Sequence, residues 1–230
     1  MRLVEEMQQE HVSFIYNTPN NKSMPGYLKM GWTPVTRIPL WVRPMSPLLR
    51  RAFGMTRVEA PGLEGFGTAT DVLEDPRLPA FLSDVAPDDD RYHTARTLRY
   101  LRWRYADIPT LSYSARFETT GDAGALVIAR ARRRGYLREV TLSELLVTPS
   151  MRGITIARDI VADLVQRASA DYVAACAARS STERQILVRA GFLPAPRLGP
   201  HFTVRCLASM GVNPAHWQNW RCSIGDLELF

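Results

Sequence analysis

The chain has little that would mark a secreted, metal-binding or membrane protein. Its 230 residues contain three cysteines, Cys176, Cys206 and Cys222, an odd number at wide spacing. That fits neither a disulfide framework nor a paired-cysteine metal site. The four histidines, His11, His93, His201 and His216, have no ligand spacing, so no metal is expected. No run of 18 uncharged apolar residues occurs, so no membrane span is expected. The N-terminal stretch is amphipathic and acidic, with no apolar secretory core, which points to the cytoplasm. Lysine is nearly missing as well. Only Lys22 and Lys29 occur, so 27 of the 29 basic residues are arginine. The net charge of +6 could serve nucleic acid, but the arginines are scattered except at Arg130–Arg134, and no nucleic-acid motif accompanies them. A mild positive field equally suits a small anionic ligand.

What is present is an ordinary globular balance, 46% hydrophobic and 23% charged. Residues 1–10 have helical periodicity, and residues 11–16 alternate as a strand. Pro25 and Gly31 bracket a short helix. Residues 33–42 are β-like, although Pro34 and Pro39 suit only an edge or an irregular strand. Residues 46–66 have the composition of a connector. A second series follows. Strands are expected at 67–73, 111–117, 125–131 and 137–147, with helices at 78–85 and 94–105 between the first two. A helix at 156–168, a strand at 172–176, a helix at 181–189 and strands at 202–207 and 220–230 complete it. The fold class expected is α/β, a mixed sheet with one central βαβ unit.

The densest signal is S-E-L-L-V-T-P-S-M-R-G-I-T-I-A-R-D, Ser143 to Asp159. A strand runs into a tight turn at a helix N-terminus, where unpaired amides and the helix dipole favour an anion such as a diphosphate.

The element order, with Glu144, Leu145, Val147, Pro149, Arg152 and Ala157 at matching positions, resembles the GNAT acyl-CoA N-acyltransferase superfamily. Thr155 stands where that pattern has its middle glycine. Y-L-K-M-G-W (Tyr27–Trp32) and I-L-V-R-A-G-F (Ile186–Phe192) both look like the family's closing helix, Tyr-x-x-x-Gly-aromatic, with Leu187 replacing the tyrosine in the second. The resemblance implies the C-terminal remnant of one GNAT repeat (1–45), a connector (46–66) and a full GNAT-like domain (67–230). Thr94–Tyr105 and the Gly225-Asp226 ending resemble tandem-GNAT proteins of bacterial polysaccharide or envelope synthesis. The chain would be an amino-terminally shortened member.

The resemblance implies acetyl-CoA, or another acyl-CoA, as co-substrate. Pantetheine would pair with Leu145, Leu146 and Val147. The pyrophosphate would lie on the loop amides of Arg152, Gly153, Ile154, Thr155, Ile156 and Ala157. Amine attack on a thioester needs a base and an acid. Glu144 is the candidate base and Tyr27 the only tyrosine at the family's acid position. Arg102, Arg104 and Tyr105 lie on the helix that lines the acceptor pocket in this family. The acceptor would be a small-molecule amine, sugar- or amino-acid-like, with a homodimer left open. The rival expectation is a catalytically impaired GNAT-like binding or assembly module.

Overall fold

The computed structural model describes residues 2–45, 63–86, 89–178 and 181–227. Most of the expected connector lies outside the described residues. The chain divides into two compact units, each assembled from separate stretches. The first draws on Met1–Leu40, Asp89–His93 and Ala195–Arg221, the second on Trp41–Asp88, Thr94–Pro194 and Cys222–Phe230.

In the first unit, helix α1 (Arg2–Gln9) leads to strand β1 (Phe14–Asn17). Helix α2 (Met24–Lys29) carries Pro25 in its first turn and stops at Gly31, whose φ of 82° a side chain would resist. Strand β2 (Thr33–Arg37) follows, and Pro39 separates it from strand β3 (Leu40–Pro44). Residues 33–42 thus form two strands rather than one irregular one. The unit's sheet has the order β1–β10–β2, where β10 is His201–Cys206. All pairs are antiparallel, and β2, with Pro34, lies at an edge where a missing amide is tolerated. An aromatic cluster of Phe14, Tyr16, Tyr92, Phe202, Trp217 and Trp220 packs beside the sheet, with ring centroids 4.7–5.5 Å apart. Residues 217–219 form a 3₁₀ turn, and 220–227 contain no strand, against expectation. Trp220 instead donates its indole N–H to the Pro214 carbonyl, as a buried indole must.

The second unit holds a seven-stranded sheet. Strand β4 is only Gly67–Thr68, because the Thr68 hydroxyl accepts from the Asp71 amide and starts helix α3 (Ala69–Val72). The strand expected over 67–73 is therefore mostly helix. Helices α4 (Leu78–Asp84) and α5 (Leu98–Tyr105) follow, the latter capped by Thr97. Strands β5 (Ser114–Thr120), β6 (Ala123–Arg134) and β7 (Leu137–Val147) make an antiparallel meander. Helix α6 (Met151–Arg167) crosses to strand β8 (Tyr172–Cys176), parallel to β7. Helix α7 (Thr182–Arg189) and strand β9 (Leu193–Ala195) complete the order β4–β5–β6–β7–β8–β3–β9.

Strand β6 shows why both sheet faces are covered. Ala125, Val127 and Ala129 join the core beneath α6, while Leu126 and Ile128 join the core formed with α3, α4 and α5. Side chains alternate along a strand, so a strand apolar at every position must be buried twice.

The order strand–helix–strand–strand occurs twice. It runs through β1, α2, β2 and β3, then through β8, α7, β9 and β10. Each time the last strand enters the other series' sheet: β3 lies between β8 and β9, and β10 between β1 and β2.

Candidate active site

The site lies in the second unit, where β7 parts from β8. Parallel pairing runs from Glu139–Tyr172 to Leu142–Ala175 and stops. On its other side β7 pairs with β6 up to Val147, with a register shift that leaves Ser143 as an extra residue. Such a bulge bends and twists its strand. The amide of Thr148 donates to Gly124 on the β6 side, whereas the carbonyl of Ser143 points away and accepts from Gly225. Alternation therefore turns the backbone groups of Leu145 and Val147 away from β6, beyond the last β8 pair. The Ser143 hydroxyl is buried with no hydrogen-bond partner among the described residues.

Glu144 projects to the α5 face and is 1% exposed. Its Oε1 accepts from the Tyr105 hydroxyl at 2.7 Å and the Ser223 hydroxyl at 3.0 Å, and lies 3.3 Å from Arg96 Nη2. Its Oε2 accepts from Arg96 Nε at 3.3 Å. Arg96 also donates to Asp226 at 2.6 Å and to the Thr94 carbonyl at 2.7 Å. Asp226 further accepts from the Thr94 hydroxyl at 2.7 Å and the Ser223 amide at 2.8 Å. Two carboxylates thus share one guanidinium in a nearly dry site. Burial raises the proton affinity of Glu144, Arg96 counters it, and Asp226 adds to it. Burial, reinforced by the charge of Glu144, holds the Tyr105 hydroxyl well above the ordinary tyrosine range. Burial also pushes the Cys176 thiol, on β8, up to about 12.

Helix α6 begins at Met151, five residues before the expected start. Ser150 explains this. Its hydroxyl accepts from the Gly153 amide and its carbonyl from the Ile154 amide. The amides of Thr155, Ile156 and Ala157 then pair inside the helix by its own geometry. Residues 152–157, expected as a loop, therefore lie within the helix, and the turn that precedes it is Thr148–Ser150. Only the amides of Met151 and Arg152 remain outside the helical pairing and the Ser150 cap. Thr155 donates its hydroxyl to the Met151 carbonyl at 2.9 Å rather than toward a ligand. Gly153 is required, because a Cβ there would come 2.2 Å from Thr148 Oγ1 and 2.7 Å from its carbonyl oxygen.

The remaining candidates have other partners. Arg102 pairs with Glu74 at 2.9 Å, partly in solvent. Arg104 is buried, and donates to the Gly225 carbonyl at 3.2 Å and the Tyr113 hydroxyl at 3.3 Å. Tyr27 belongs to the first unit, where its hydroxyl meets the Asn17 amide and its ring packs on Trp32. Leu187 is buried in the core under α6. Arg96, Ser223 and Asp226 were not selected from the sequence as site residues. The signal was there in part, since the two flanking runs of the resemblance, Thr94–Tyr105 and Gly225-Asp226, meet at Glu144. Among the described residues, no group of three or more His, Cys, Asp or Glu could hold a metal, and no helix is long and apolar enough to cross a membrane.

No family model matches the chain, and no curated protein matches it. Among solved structures, it is similar to the crystal structure of a GCN5-related N-acetyltransferase from Anabaena variabilis. The TM-score is 0.51 and the identity 13%, over 90% of this chain and 49% of that one. The chain thus spans about half the length of that structure. At this identity the likeness is one of fold, and the fold is that of a GCN5-related N-acetyltransferase.

Proposed function

We propose that the chain is an acyl-CoA-dependent N-acyltransferase, acetyl-CoA being the simplest donor, acting on an amine of a sugar- or amino-acid-like metabolite. The observation that carries this reading is the bulged edge of β7. Backbone groups at Leu145 and Val147 face away from β6 past the last β8 pair, with the buried carboxylate of Glu144 between them and the bulge. An extended pantetheine arm carries amides that suit such an edge. The diphosphate would lie at the Met151 and Arg152 amides, with the exposed Arg152 side chain as its cation. This is a narrower cradle than the six residues expected. Acyl transfer forms a bond from the amine nitrogen to the acyl carbon and breaks the carbon–sulfur bond. The amine's proton goes to a base, and the thiolate takes one from water. Glu144 is the base of this reading, its proton affinity raised by burial. Arg102 and Arg104 already have protein partners, so acceptor recognition is not assigned to them. Residues 1–45 are read as the closing part of a preceding repeat, because β1–α2–β2–β3 repeats the order of β8–α7–β9–β10.

A second reading, a GNAT-like binding or assembly module without turnover, is favoured by one observation. Three protein side chains already occupy the Glu144 carboxylate. Calorimetric titration of acetyl-CoA, with Arg152→Glu as control, tests the coenzyme site. Binding in the wild type and at least tenfold loss in the variant is the expected result, and no binding at millimolar coenzyme sinks the enzyme reading. Thiol release from acetyl-CoA over a panel of amines then separates the two readings. Binding with no release across the panel leaves the second.

A further inference from the structure

We propose that the segment Cys222–Asp226 is a strap that closes the acyl end of the β7 edge and must release before coenzyme enters. The proposal rests on the acyl-CoA reading above.

The strap is paired onto the strand. The Gly225 amide donates to the Ser143 carbonyl at 3.1 Å, at the first residue of β7 past the last β8 pair. This is strand addition in miniature, by the chain itself, on the edge that would receive pantetheine. The strap also lies directly on the candidate base. A Cβ at Gly225 would come 1.8 Å from the Tyr105 hydroxyl and 2.7 Å from Glu144 Oε1. Only glycine lets the backbone approach so closely. The Gly225 carbonyl accepts from Arg104, which fixes the peptide from its other side.

The latch is ionic. Asp226 meets Arg96 at 2.6 Å, with the two side chains 3% and 12% exposed. An ion pair in so dry a place gains little net stability, because the desolvation of both charges offsets their attraction. Opening to water rehydrates both charges, which offsets part of the cost of exposing Cys222 and Ile224, the strap's buried apolar side chains. Arg96 is shared between Asp226 and Glu144, so release of the strap leaves Glu144 as the one carboxylate on the guanidinium, which keeps its bond to the Thr94 carbonyl. Opening the edge and resetting the charge at the base are then one event.

Coenzyme A itself is the probe, with the full chain. Calorimetry reads affinity, and hydrogen exchange by NMR reads the Gly225 amide. The expected result is a Gly225 amide protected in the free protein, whose protection falls at least tenfold at saturating coenzyme A. Asp226→Asn is expected to bind coenzyme A at least threefold tighter, with faster Gly225 exchange. Coenzyme A binding that leaves Gly225 protected, or an Asp226→Asn protein that binds no tighter, overturns the strap and leaves the acyl-CoA reading standing. Absence of binding heat in both proteins removes the acyl-CoA reading, and the strap as a coenzyme gate with it. If Asp226→Asn does not fold, Thr94→Val, which removes only the hydroxyl donor to Asp226, carries the same test in the same direction.

Discussion

Glu144 and Glu139 lie on one strand, five residues apart, with opposite electrostatics. Burial raises the proton affinity of Glu144, and Arg96 only partly offsets it. Burial also pushes Glu139 upward, but hydrogen bonds from Tyr172 and Arg132 and the charges of Arg132 and Arg134 prevail, so its proton affinity is lowered. The consequences for stability have opposite sign. A raised folded value gives stability that is full below the ordinary glutamate value, about pH 4.3, and is lost as pH rises through the folded value. A lowered one gives stability that is present above that value and lost as pH falls. Urea unfolding followed over pH should therefore lose its decline above about pH 4.3 in Glu144→Gln and its decline below it in Glu139→Gln. Glycines make a second contrast. Gly153→Ala forces a Cβ onto the Thr148 backbone and should destabilise by about 1–3 kcal/mol. Gly26→Ala, in α2 with nothing within 4 Å, should stabilise by about 0.5–1 kcal/mol. Both are read as shifts in the urea midpoint.

The elements most legible in the sequence were those whose pattern is local. Strand β7 was expected at 137–147 and is found there, and Gly191, with φ of 80°, ends α7 as read. Periodicity and glycine punctuation depend only on neighbours in the chain. The start of α6 lies earlier than apolar periodicity after the Arg152-Gly153 turn places it, because a cap sets it. Ser150 stands three residues before Gly153, and its hydroxyl sets the boundary. Ser150→Ala should destabilise by about 1 kcal/mol and fray the first turn, visible as faster hydrogen exchange at Gly153 and Ile154. Thr68 caps α3 in the same way, in a stretch read as strand.

At the scale of the whole molecule, sequence order and sheet order part company. Strand β3 is separated in the chain from the strands on both its sides, yet Trp41 packs in the core under α6 and Arg184 lies over its ring. Trp41→Ala should cost about 3–5 kcal/mol and lower the thermal midpoint of the second unit's sheet. In the first unit, the links leading to β3 and to β10 touch. The Ile38 amide donates to Pro200, and a Cβ on Gly199 would come 1.9 Å from the Ile38 carbonyl oxygen. Gly199→Ala is expected to destabilise by about 1–3 kcal/mol, through a backbone that must shift.

By itself the sequence determined the helices and strands with clear periodicity, the repeated strand–helix–glycine pattern, and Glu144 as a carboxylate at the end of a buried strand. These are consequences of spacing along one chain. Only the tertiary structure decided that β3 and β10 exchange sheets, that Ser143 bulges where β7 leaves β8, and that Arg96 and Asp226 flank Glu144. Arg96 and Asp226 are 130 residues apart. Their partnership arises because burying Glu144 demands hydrogen bonds and opposite charge, and the fold supplies them from whichever segments reach the site.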